Sequence, residues 1–144
     1  MRLATVIAIV LVSACSKHPN CNKDDIKLAM ACAVQVTPEL VDVVNRMTVY
    51  CVEDTTRMCL RDVDSCTLGV GSALAPGRMA SHNRVPVGNS IAHEQAHWKQ
   101  MIAEDYSYTC PVHEEECGWD PYLVEKVLDC IDSKKTSETD HTGE

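Results

Sequence analysis

Apolar residues recur at helical spacing in four parts of the chain. Residues 24–36 carry them every three or four positions, which predicts an amphipathic helix. Residues 37–46 begin with Thr-Pro-Glu, an N-cap followed by proline and an acid, and predict a second helix. Residues 89–102 predict a helix of about 14 residues that Asn89 or Ser90 caps, and residues 120–131 predict the last one.

The segments between these helices predict a short sheet. Residues 47–52 are rich in β-branched and aromatic side chains, and residues 67–74 form a glycine-containing apolar run, so both predict strands. Residues 84–87 predict a short edge strand because of Pro86. We expect loops at 54–65 and 75–83 and a disordered polar tail at 133–144. The pattern therefore predicts one small α+β domain over residues 23–132.

The predicted helix at 89–102 contains the sequence His93-Glu94-Gln95-Ala96-His97, which reads as HExxH. Histidines four residues apart lie on one face of a helix, so both rings can bind a single zinc ion. Glu94 is next to this face and can take the proton of an attacking water without binding the metal. These residues predict one zinc per chain, with Glu94 as the general base.

Two downstream residues are candidates for the third zinc ligand that a catalytic site needs. His113 follows His97 with 15 residues between them, and Glu116 follows with 18. Because the two candidates are three residues apart, a helical turn would present both on one face. Both alternatives stay open from the residues alone, and Glu114 and Glu115 are expected to form a solvated acidic face.

The HExxH site resembles the zincin metallopeptidases. In the gluzincins a downstream helical Glu binds zinc and a nearby Asp supports a ligand histidine, which implies Glu116 as ligand and Asp120 as the acceptor for His93. Here Glu115 stands where the gluzincin pattern has Asn.

Spartan-type and related small bacterial zincins offer the second resemblance, and it implies His113 as the third ligand. In these proteins an Asp-containing loop precedes the His, an acid follows three residues on, and a Trp comes soon after. Asp105, His113, Glu116 and Trp119 match this order. Glu114 stands where the Spartan pattern has Gly. The resemblance covers about residues 85–120, and it implies a zincin-like fold and peptide-bond hydrolysis.

The N-terminal segment predicts export. Residues 1–14 have one Arg and an apolar run too short to span a bilayer, as in a signal peptide. Val12-Ser13-Ala14-Cys15 resembles a bacterial lipobox, which implies lipidation of Cys15, with residues 15–22 as a tether. The alternative is an ordinary signal peptide cut after Ala14.

The chain has nine cysteines, and lipidation of Cys15 would leave an even number for disulfides in an oxidising compartment. No CxxC pair occurs, which argues against a cytosolic zinc module. The eight disulfide candidates are Cys21, Cys32, Cys51, Cys59, Cys66, Cys110, Cys117 and Cys130.

A formal net charge of −8 argues against nucleic acid and against electrostatic binding to anionic lipid. Any membrane attachment would then come from acyl chains alone. The likeness to a lipobox implies a location in the bacterial cell envelope, facing the periplasm or the exterior, and we expect a monomer.

These observations predict a zinc-dependent peptidase-like hydrolase that acts on a peptide or protein. Tyr106, Tyr108, His82 and Arg84 are candidates to stabilise the oxyanion. One alternative is a lipoprotein that binds metal without catalysis. Another is a disulfide-stapled interaction module in which the histidines are incidental.

Overall fold

The structure is a computed structural model that describes residues 18–60, 66–68, 78–103, 113–115 and 118–141. It is a small α+β domain, as predicted. In chain order its elements are α1 (Lys23–Val36), a 3-10 turn (Pro38–Leu40), α2 (Val41–Arg46), β1 (Thr48–Val52), β2 (Thr55–Cys59), β3 (Thr67–Leu68), β4 (Arg78–Asn83), α3 (Val87–Ala103) and α4 (Pro121–His141).

Helix α3 is the centre of the fold and packs against both α1 and α4. It is buried on most of its circumference, and Ile91, Ala92, Ala96 and Trp98 are fully inaccessible. Gly88 lies in its first turn, where a Cβ atom would come within 3.1 Å of Ile131 Cδ1 on α4. Glycine therefore allows the two helices to approach closely at this point.

The described strands form one sheet in the order β1-β2-β4-β3. The pairs β1–β2 and β2–β4 are antiparallel, whereas the short β3 runs parallel to β4. One face of the sheet joins the helical core through Met58 and Ala80. The sheet thus lies against the helices, with β4 leading into α3.

Three disulfides tie these elements together, which confirms the prediction of several. Cys21–Cys51 joins the residues just before α1 to β1. Cys32–Cys130 joins α1 to α4, and Cys59–Cys66 closes a short loop after β2. Cys110 and Cys117 lie outside the described residues, as does Cys15 with the predicted signal peptide.

The predicted loop at 54–65 is wrong for its first half, because residues 55–59 form β2. A two-residue turn makes this hairpin, with Glu53 in the left-handed region at φ 53°. Such a turn usually carries Asn-Gly or Asp-Gly, and Glu-Asp gives no comparable signal.

The predicted loop at 75–83 is wrong over residues 78–83, and the predicted edge strand at 84–87 is also wrong. Residues 78–83 form β4, whereas Arg84 has a φ of 57° and ends the strand. The Arg84 backbone N–H donates to the Asp54 carbonyl at 3.0 Å, which holds this turn against the hairpin. Val87 already belongs to α3, so the motif helix has 17 residues and begins earlier than predicted.

The predicted disordered tail at 133–144 is wrong over residues 133–141, because α4 continues to His141. Thr136 and Ser137 hydroxyls donate to the backbone carbonyls of Asp132 and Lys134, and Lys135 pairs with Asp25 of α1 at 3.1 Å. These polar contacts accompany a helix that buries almost nothing after Ile131. Among the described helices, none has the length and apolar character needed to cross a bilayer.

Candidate metal centre

His93 and His97 lie one turn apart on α3, with their ring centroids 4.8 Å apart and their Nε2 atoms 3.1 Å apart. His93 is half-buried and His97 is buried. Because α3 is held on several sides by the core, both rings project from a rigid element. This arrangement is what the four-residue spacing predicts.

His113, from the segment between α3 and α4, completes a triangle with these two histidines. Its Nε2 lies 3.2 Å from that of His97 and 3.3 Å from that of His93. His113 is exposed, so the cluster opens to solvent on its side. In the part of the chain that the structure describes, this is the one group of three or more potential ligands with converging atoms.

Hydrogen bonding cannot account for this triangle. An imidazole Nε2 either carries a hydrogen and donates or has a lone pair and accepts. With three nitrogens and two roles, at least one pair must join two donors or two acceptors. A cation at the centre removes the conflict, because all three lone pairs can then point at it.

The nitrogen separations also fit a tetrahedral ion. Nitrogens bound at about 2.0–2.1 Å with tetrahedral angles lie about 3.3–3.4 Å apart, close to the 3.1–3.3 Å observed here. Three protein ligands leave the fourth position for water or substrate. The geometry therefore fits an open metal site.

Local interactions favour the neutral, metal-binding form of the α3 histidines. Burial lowers the pKa of His93 and of His97 from the ordinary 6.5, and the nearby Glu94 carboxylate opposes this effect in both. His97 Nδ1 lies 3.2 Å from Gln100 Oε1, an acceptor, so the ring donates there and keeps its Nε2 lone pair. Gln100 was missed from the sequence, although its place three residues after His97 on a helix is a usable indication.

Trp119 packs against all three histidine rings, at centroid distances of 5.2 Å to His93, 4.5 Å to His97 and 4.9 Å to His113. A tight turn brings it there: Gly118 has a φ of 81°, and the Trp119 N–H donates to the Glu114 carbonyl at 3.2 Å. Only glycine adopts this φ without strain. The turn therefore fixes the indole against the cluster.

Glu94 lies beside the triangle, and its side chain is only 7% exposed. Its Oε1 is 2.7 Å from His82 Nε2 on β4. Its Oε2 is buried and has no hydrogen-bond partner among the described residues. A buried carboxylate oxygen without a partner costs stability and calls for an explanation, and this one belongs to the residue next to the ligand candidate His93.

The other predicted site residues have mixed outcomes. Asp120 Oδ1 accepts from the Tyr122 backbone N–H at 2.9 Å and caps α4, and no hydrogen bond joins these described residues, Asp120 and His93. Glu114 and Glu115 are exposed, as predicted for a solvated face, and Arg84 is exposed too.

Several predicted residues lie outside the described part of the chain, so the predictions for them stay predictions. They are the rival ligand Glu116 and the loop residues Asp105, Tyr106 and Tyr108.

No protein-family model, curated protein or solved structure matches this chain. The assignment of a function therefore depends on the chemistry of these side chains.

Proposed function

We propose that this protein is a zinc-dependent peptidase-like hydrolase. The observation that carries the proposal is the convergence of three histidine Nε2 atoms within 3.3 Å of one another, next to a buried carboxylate. Imidazole ligands suit several transition metals, and a set of three with tetrahedral spacing favours Zn²⁺. His93, His97 and His113 would hold it.

Glu94 has the surroundings that a general base needs. When bound, zinc would polarise the scissile carbonyl and lower the pKa of the attacking water toward about 7. Glu94 Oε2 would accept the proton of this water as its oxygen bonds to the carbonyl carbon. The same carboxyl group would then return the proton to the amine nitrogen as the C–N bond breaks.

The test compares wild type with Glu94→Gln and, as a matched control, with the exposed Glu115→Gln. Each purified chain, with its disulfides formed and loaded with zinc, is incubated with a peptide library and assayed by mass spectrometry. Wild type and Glu115→Gln should generate new termini, and Glu94→Gln should keep one zinc and generate none. Zinc-loaded wild type without cleavage would contradict hydrolysis and support the non-catalytic metal-binding alternative. Equal cleavage by Glu94→Gln would refute the role of Glu94.

We propose further that the chain is exported and carries lipid on Cys15. The three disulfides support an oxidising compartment. Radiolabelled palmitate should enter wild type expressed in a bacterium and be absent from Cys15→Ser. Equal labelling of both chains would contradict the lipid anchor.

A further inference from the structure

Strand β4 presents His82 to the helical side of the sheet. Side chains two apart on a strand share a face, and Ala80 on this face belongs to the buried core, whereas Ser81 on the opposite face is exposed. The register pairs His82 with Thr56, which is fully buried. His82 therefore ends a core-facing row, and its side chain is 23% exposed.

The contact between His82 and Glu94 joins β4 to α3 at the site. His82 Nε2 lies 2.7 Å from Glu94 Oε1. An ionised carboxylate only accepts hydrogen bonds, so the imidazole must carry its proton on Nε2 and donate. A bond of this length to a charged acceptor is a strong one.

His82 is not part of the metal triangle. Its ring makes an edge contact with His93 at a centroid distance of 5.9 Å, but its nitrogens are not among the converging ligand atoms. Its Nε2 is engaged by Glu94, so the same nitrogen cannot also serve an oxyanion. Its hydrogen bond through Nε2 is made to the Glu94 carboxylate.

From these contacts we propose that His82 is a positioning residue for the Glu94 carboxylate, an inference that rests on the proposed function. The terminal torsion of a Glu side chain has broad, shallow preferences, so an unrestrained carboxylate samples many orientations. His82 fixes Oε1 and leaves the buried, unpartnered Oε2 as the oxygen for proton transfer. A base held in one orientation supports proton transfer better than one that rotates.

Three variants test this role: His82→Ala, His82→Gln, whose amide N–H can replace the donor, and Ser81→Ala as a control on the opposite face of β4. We expect all three to bind one zinc. With a peptide that wild type cleaves, His82→Ala should lose roughly 10- to 100-fold in kcat with little change in KM. His82→Gln should recover most of this loss, and Ser81→Ala should match wild type. An unchanged kcat in His82→Ala, or no recovery in His82→Gln, would overturn the proposal.

Nuclear magnetic resonance gives a readout that does not depend on turnover. In the zinc-loaded protein, long-range ¹H–¹⁵N spectra should show His82 protonated at Nε2. The ¹³C shift of the Glu94 carboxyl carbon should change in His82→Ala, which removes the hydrogen bond to Oε1, and should return toward the wild-type value in His82→Gln. A proton on Nδ1 alone in wild type, or a carboxyl shift that His82→Ala leaves unchanged, would refute the positioning role. If wild type cleaves no peptide, hydrolysis fails, and the spectra still decide whether His82 holds Glu94.

Discussion

The disulfide between Cys32 and Cys130 joins α1 to α4, which contact each other and both pack against the motif helix. Its partners are 98 residues apart, whereas Cys59 and Cys66 are seven apart. In the chain-entropy treatment, a disulfide that closes the 98-residue loop stabilises the fold by about 4.7 kcal/mol, and one that closes the seven-residue loop stabilises it by about 2.4 kcal/mol. Replacing the cysteines of each pair with alanine should therefore lower the free energy of unfolding by amounts that differ by about 2.3 kcal/mol.

The two pairs are well matched for this comparison, because each contains one fully buried and one half-buried cysteine. The loss of packing should then be similar, and the difference should come from loop length. Urea unfolding at pH 8 measures it, with midpoints of the two double variants expected to differ by about 1–2 M. Equal midpoints, or a less stable Cys59→Ala/Cys66→Ala variant, would refute the reasoning.

Three further predictions concern the support of the site. The Thr37 hydroxyl donates to Gln95 Oε1 at 3.2 Å in the core. Thr37→Val leaves that acceptor unpaired and should lower the free energy of unfolding in urea by about 1–3 kcal/mol. An unchanged free energy of unfolding would contradict the bond. The pKa values of His93 and His97 are lowered, so below pH 6.5 the metal-free folded chain binds fewer protons than the unfolded chain. Its free energy of unfolding, measured in urea, should therefore fall as the pH drops below 6.5. The fall should be smaller in His93→Gln/His97→Gln, and an equal fall in both proteins would contradict this cause. Removal of residues 134–144 should reduce the helical circular dichroism signal and change the free energy of unfolding by less than about 1 kcal/mol. A larger decrease in the free energy of unfolding would show that this end of α4 supports the core.

The helices could be predicted because their sequence and their packing agree. Residues 24–36 and the motif helix have apolar spacing, caps and, in the motif, ligands four apart, and each of these is local information. His113 was a ligand candidate for a different reason, because its spacing from His97 resembles that of Spartan-type zincins, and the structure places the two Nε2 atoms 3.2 Å apart.

The prediction of the strands failed where pairing with a neighbouring strand, rather than amino-acid composition, decides the conformation. Residues 78–83 have no β-branched residue and no regular alternation, and they become β4 because β2 pairs along almost their whole length. The contact of His82 with Glu94 follows from this pairing, so no local pattern could identify it. The role suggested for Asp120 near the metal came from a resemblance and stays a prediction, and the structure shows that its side chain caps α4.

The metal content of the purified, oxidatively folded chain tests the central claim most directly. After dialysis against zinc, wild type and a control variant, His18→Ala, should retain about one zinc per chain. His93→Ala and His113→Ala should each lose it, and Glu116→Ala should keep it if His113 is the third ligand. A folded wild type that retains no zinc, copper, iron or nickel would contradict the metal centre and leave a disulfide-stapled interaction module.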